Sequence, residues 1–159
     1  MSAGDDDVEL ARLVVAAMAG EDLRTAQRLL DPAVEWESIG GLEPGTARGT
    51  DTVVRSFLDY RRTWARFGVE GEAIVVAGRR LLVLLRETGR GAGSGAEASL
   101  ASAVILTVSD GRIVHIASYI DHVRALAELG ASGADPAALE PGAVYDLRDG
   151  VPLRRPVRG

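Results

Sequence analysis

The sequence predicts a single α+β domain with its elements in the order α-α-β-α-β-β-β-β-α. Three observations carry that prediction. Apolar residues recur at helical spacing over residues 7–30, period-two alternation replaces it from Val34, and four strand-like runs later follow one another across short turns. With 159 residues, 47% of them hydrophobic and 26% charged, the chain suits one core-forming globular domain.

The first helix spans 7–19, where Val8, Leu10, Val14, Ala17 and Met18 fall near one stripe. Asp5, Asp6 and Asp7 stand where the helix dipole favours negative charge, and Gly20 closes the helix. Asp22 caps a shorter helix through Leu30, with Leu23, Ala26, Leu29 and Leu30 inward, and Pro32 stops it. Residues 34–39 alternate as a strand, with Val34, Trp36 and Ser38 on the inner face and Glu35, Glu37 and Ile39 on the outer. Residues 40–49, with four glycines and Pro44, read as a loop.

Thr50 or Asp51 caps a third helix that runs to about Phe67. Its inner stripe is Val53, Val54, Phe57, Leu58, then Tyr60 or Arg61, then Trp64. Strands are expected at 69–77, 81–86, 98–108 and 112–120. Gly78-Arg79 turns between the first two, and Ser109-Asp110-Gly111 is a hairpin signal between the last two. The Gly-rich stretch 88–96 leads from strand to strand, so it lacks the following helix N-terminus that a phosphate cradle needs and reads as a hairpin tip. Asp121 starts a last short helix ending at Gly130. Residues 131–159 hold four of the six prolines and end in Arg154, Arg155 and Arg158, the composition of an extended or disordered tail.

Composition excludes several chemistries. Cysteine is absent, which removes disulfides and thiolate catalysis, and all 18 basic residues are Arg, which removes lysine Schiff-base chemistry. A net charge of −5 argues against a nucleic-acid partner. His115 and His122 are the only histidines and form no metal-ligand spacing, so no metal or cofactor is expected. No apolar run approaches the ~20 residues that cross a bilayer. The acidic start lacks the basic flank and apolar stretch of a secretory signal, so a cytoplasmic location is expected.

Certain residues resemble a known family. Val34-Glu35-Trp36-Glu37-Ser38 followed by a Gly/Pro-rich loop and Arg48-Gly49 is similar to the first strand and loop of SnoaL-like proteins in the nuclear transport factor two-like superfamily. Ser109-Asp110-Gly111-Arg112-Ile113-Val114 with Tyr119-Ile120-Asp121 resembles their last hairpin, and Ala125-Leu126-Ala127-Glu128-Leu129-Gly130 their ending. The resemblance covers about 7–130. It implies a curved mixed sheet wrapped around three to four helices in the cone-shaped, cystatin-like manner, with a pocket at the wide end. It also implies homodimerisation through the sheet's outer face. The fold hosts isomerases, cyclases, hydrolases and non-enzymes, so it does not fix an activity.

Matched position by position, the acid of the epoxide hydrolases of this fold falls on Ser118, with its companions near Leu81 and Val83. The cyclases' His–Asp pair falls near Val104 and Ser118, and the ketosteroid isomerases' base and tyrosine near Trp36 and Val14. None of these positions carries the needed ionisable group. On the last strand Val114, Ile116, Ser118 and Ile120 share one face, expected inward, with His115, Ala117, Tyr119 and Asp121 on the other. The expected pocket walls are Trp36, Phe57, Tyr60, Trp64, Ile116 and Ile120, with Ser38 and Ser118 as polar contacts and Arg48 in the closing loop as an anion holder or a plain salt bridge.

Asp121, His115 and Tyr60 are the catalytic candidates; against that stand a helix cap for Asp121 and a half-exposed outer-face position for His115. Glu35 and Glu37 read as solvated charges, and so does His122. The expected function is binding of a bulky, mainly apolar small molecule. The alternatives are a cyclase, isomerase or hydrolase acting on a polyketide- or steroid-like substrate with a non-standard acid/base set, and a dimeric interaction module.

Overall fold

Alternation along the central strands sorts their side chains into two buried sets. Leu81, Val83 and Leu85 join Leu106 and Ile116 in one cluster, while Leu82 and Leu84 join Ile105 and Ala117 in the other. The sheet is therefore covered on both faces, and the two coverings come from different ends of the chain.

The computed structural model of the protein describes residues 3–20, 22–39, 45–91 and 93–156. Its helices are α1 (Ala3–Ala19), α2 (Leu23–Leu29), α3 (Thr50–Arg61) and α4 (His122–Leu129). The strands are β1 (Leu30–Ile39), β2 (Gly45–Arg48), β3 (Trp64–Ala77), β4 (Arg80–Gly91), β5 (Glu97–Ser109), β6 (Arg112–Tyr119), β7 (Val144–Arg148) and β8 (Val151–Arg154). They form one curved sheet in the order β2-β1-β6-β5-β4-β3-β7-β8. β1 runs parallel to β6 and β3 parallel to β7; the other neighbours are antiparallel.

α1, α2 and α3 fill the concave side. Val8, Leu10, Val14, Val53 and Val54 pack there against Val34, Ile74 and Leu81. This is the α+β cone that the sequence predicts. Asp22 caps α2 as expected, accepting the Thr25 N–H at 3.2 Å. Gly130 ends α4 with φ 108°, a left-handed conformation that glycine adopts without steric cost.

Four expectations are corrected. α3 stops at Arg61 instead of reaching Phe67, because the backbone turns there and Thr63 bonds back to the Tyr60 carbonyl through both its N–H and its hydroxyl. Trp64 and Phe67 then enter β3 and pair with Gly91 and Gly89 of β4, so pairing across the sheet overrides a helical spacing that local pattern alone supports. Residues 45–48 of the expected loop form β2 on the edge of β1; residues 40–44 lie outside the described residues. Between the pairs Thr107–His115 and Val108–Ile113 the register shifts by one extra residue on β6, Val114, so Ile113 turns inward and the Val114-to-Ile120 alternation breaks at its start.

The largest correction concerns residues 131–159, expected as an extended or disordered tail. Up to Pro156 they are built into the fold. Pro136–Ala138 form a 3-10 turn, β7 pairs with the β3 edge, and β8 folds back on β7. With α4, this segment covers the convex face: Ala125, Leu126, Leu129, Ala131, Ala143 and Tyr145 bury Val75, Leu82, Leu84 and Ile105. Arg80 reaches up to the last carbonyls of α4, Glu128 and Leu129, at 3.4 and 3.3 Å.

Arg155 ties the end of this segment back to the first helix. It holds Asp146 with two bonds of 3.1 and 2.7 Å and Asp5 with one of 3.1 Å. The Arg155 hydrogen bonds hold the Asp146 carboxyl below its ordinary 3.8. A depressed folded-state value means that the contribution is complete above the unfolded carboxylate range and is lost as pH falls through the lower folded value. Arg155→Ala is therefore expected to destabilise the chain at neutral pH, and the difference from wild type should narrow as pH falls through and below the ordinary carboxylate range, followed by urea unfolding.

Candidate functional site

The inner face of the cone toward its wide end is mostly hydrocarbon, and the alternation from the inner cluster fixes which polar groups interrupt it. On β6 the inner Ile116 is followed by Ser118; on β5 the inner Val104 is preceded by Ser102; on β4 Leu85 is followed by Glu87. Ser118 stands opposite Val104, Ser102 opposite Leu85, and Glu87 opposite Leu100 on one side and Val69 on the other.

Several expected residues take the inner position. Trp36 and Ile116 are register partners on β1 and β6, as are Ser38 and Ser118. The indole Nε1–H of Trp36 donates to the Ser118 hydroxyl at 2.8 Å, which fixes both side chains. Ser102 is 6% exposed and its hydroxyl is buried with no hydrogen-bond partner among the described residues.

A second group gathers where α3 ends and β3 begins. Phe67 is the hub: its ring centroid lies 6.1 Å from Phe57, 5.9 Å from Tyr60 and 6.5 Å from Trp64, the first two edge to face. The Arg61 guanidinium stands 5.7 Å from the same ring. Trp64 reaches over Gly89, where any Cβ would meet its indole.

Tyr60 is 39% exposed. Partial burial, then the Glu87 charge and hydrogen bond, push that hydroxyl up to about 12. Tyr60 thus keeps its proton at physiological pH. Glu87 escapes a sequence reading because nothing local marks it. Its parity with Leu81, Val83 and Leu85 was the available signal, and it becomes visible once β4 is known to extend past Arg86.

The remaining candidates lie elsewhere. Arg48 is exposed on the outer side of β2, its guanidinium 3.6 Å from Glu35, so it is the salt bridge and not an anion holder in the cone. His115 is on the outer face, 3.4 Å from Glu37. Asp121 caps α4, accepting the Val123 N–H at 2.9 Å. Ile120 follows the end of β6 and is 45% exposed, so it walls nothing.

His122, expected to be solvated, is buried beneath the start of α4. Its Nε2 lies 3.1 Å from the Leu85 carbonyl and 2.8 Å from that of Ser102. Two acceptors at one ring nitrogen place the proton on Nε2. Its role is to bolt α4 to β4 and β5.

Two of the hollows among the described residues lie near these side chains. One, of about 290 Å³, lies between α1 and β3 and is walled by Val15, Ala16, Ala19, Val69, Ile74 and Val83, with Arg12 and Glu72 at its rim and the tail residues Gly142 and Ala143 closing one side. Val69 pairs directly with Glu87, so the hollow ends one cross-strand step from that carboxylate, about 5 Å between Cβ atoms. The other, of about 570 Å³, is an open trough along the far end of β3, β4 and β5 beside Arg66, Arg90 and Glu97. No helix among the described residues is long and apolar enough to cross a membrane, and no group of three or more acidic or histidine side chains among them could hold a metal ion.

The family described as the SnoaL-like domain matches residues 11–116. Comparison with curated proteins finds no significant match. Among solved structures, a nuclear transport factor two-like protein of unknown function from Burkholderia pseudomallei is 23% identical with a TM-score of 0.66, covering 82% of this chain and 100% of its own. TerC, co-crystallised with polyporic acid, is 22% identical with a TM-score of 0.64, covering 78% and 97%. An LEH-like epoxide hydrolase of M. tuberculosis is 21% identical with a TM-score of 0.58, covering 74% and 84%. At these identities the likeness shows the fold alone.

Proposed function

Because the chain belongs to the SnoaL-like domain family, we propose that it binds a mainly apolar small molecule against the inner face of its sheet. The observation that carries this reading is the hollow of about 290 Å³ between α1 and β3, with Val15, Val69, Ile74 and Val83 as walls. Ligand sites of this kind run from about 300 Å³ upward, with apolar walls and a few placed polar groups. The volume favours a compact ligand over the bulky one that the wide-end aromatics suggest, since Phe57, Tyr60, Trp64 and Phe67 pack against one another. TerC, co-crystallised with polyporic acid, is consistent with a small-molecule site in this fold.

Thermal-shift screening of the full chain against neutral mono- and bicyclic compounds tests the reading, with Ala16→Trp as the variant that fills the hollow from the exposed side of α1. Binders should raise the melting temperature of wild type and lose that effect in Ala16→Trp. A library that shifts neither protein, or shifts both equally, would count against the site.

A further inference from the structure

We propose that Arg12 makes the hollow between α1 and β3 selective for a compact apolar monocarboxylate, its guanidinium holding the carboxylate while the ring lies against hydrocarbon. This rests on the small-molecule reading above and names the ligand class for the same site. It is carried by placement. Arg12, Val15, Ala16 and Ala19 all line the hollow, and their spacing along the helix puts them on one face of α1. The helix thus offers the hollow an apolar stripe that ends, one turn toward its N-terminus, in a cation.

Among the residues lining this hollow, Arg12 and Glu72 carry the charge, and they are not equivalent. The Glu72 carboxylate is already neutralised: it accepts from Arg86 at 2.8 Å, and the same arginine donates to Ser99 at 3.2 Å. Arg12 has no such partner among the described residues, although Glu9 stands one turn before it on the helix and Glu72 across the rim. An entering carboxylate therefore meets an uncompensated guanidinium, whose planar fork matches its two oxygens with parallel N–H donors. A cationic ligand would meet a like charge instead.

β3 makes the room for the rest of the ligand. Its register against β4 shifts between Gly71 and Ile74, and a Cβ on Gly71 would meet no atom within 4 Å. The shift and the missing side chain leave space beside Val69, Ile74 and Val83, and a volume of about 290 Å³ suits a ligand of one or two rings. Gly71 is not among the glycines with a left-handed backbone, so a valine there is unstrained and occupies the space from the strand side.

The probes are benzoate and 1-naphthoate, each paired with its amide, which keeps the shape and loses the charge, titrated calorimetrically into the full chain. The acid of at least one pair should bind about fivefold more tightly than its amide, the upper range for an exposed ion pair. That preference should shrink as salt is added. Arg12→Gln should bring the acid down to the amide and leave the amide's affinity unchanged, whereas Gly71→Val should weaken both together. Arg24→Gln, on α2 and outside the hollow's lining, should keep the preference. Circular dichroism and melting temperature confirm that each variant is folded. Equal binding of acid and amide to wild type, or a preference that survives Arg12→Gln, overturns the assignment and leaves the hollow standing. If no member of either pair binds, or if Gly71→Val binds them as wild type does, the small-molecule reading of this hollow falls and the role of Arg12 with it.

Discussion

Tyr145→Ala is expected to lower the unfolding free energy by about 3–5 kcal/mol, the usual cost of deleting a buried large aromatic side chain. Tyr145 is 6% exposed within the outer cluster and stands opposite Val75 in the parallel β3–β7 pair. Its hydroxyl also accepts the Glu140 N–H at 2.8 Å, so truncation strips the segment before β7 of one anchor as well. Denaturant titration reads the stability change, and hydrogen exchange should show β7 and β8 losing protection before the central strands do.

The same substitution tests what the covering segment does for association. In the wild-type chain Val75, Leu82, Leu84 and Ile105 are buried beneath α4 and the tail, and the charged groups Glu35, Glu37, His115 and Arg48 occupy the outer face of the β1–β6 side. The central apolar residues of that face are thus covered within the chain. Sedimentation should find wild type monomeric at micromolar concentration and Tyr145→Ala self-associating, because loosening β7 frees the β3 edge and the apolar face together. A wild-type dimer held through the outer face would show that the segment does not replace a partner.

Gly89→Ala is the second change with a large expected effect. A Cβ there would sit 2.5 Å from the Arg66 carbonyl oxygen and 2.6 Å from Cε3 of Trp64. The first neighbour is backbone in the paired β3 strand and the second is wedged against Phe67, so neither can yield cheaply. Overpacking of this kind costs about 1–3 kcal/mol. Displacement of Trp64 should also change tryptophan fluorescence. Unchanged stability and fluorescence would mean that β3 and β4 separate more easily here than their pairing suggests.

How much of this was legible in the sequence depends on the range of the information involved. Trp36, Ser38, Ile116 and Ser118 were readable as inward because their strands are flanked by apolar residues of the same parity. Asp121 was readable as a cap because a cap is a matter of three or four adjacent residues. Trp64 was not, since its spacing from Phe57 and Tyr60 fits a helix equally well and only pairing with Gly91 decides the matter. His122 looked like a first-turn surface residue until β4 and β5 supplied the two carbonyls that bury it.

The tail misled for a related reason. Its prolines and arginines carry the composition of a disordered segment, yet Ala143 and Tyr145 find an apolar face and Arg155 finds Asp146 and Asp5, the latter 150 residues away. The sequence by itself determined the element types, most strand faces, the capping aspartates and the absence of cysteine and lysine chemistry. Tertiary structure alone decided where α3 ends, what covers the outer face and that Glu87 stands opposite Val69. Periodicity and capping are properties of a few neighbouring residues, whereas strand partners and register are set by contacts between distant parts of the chain.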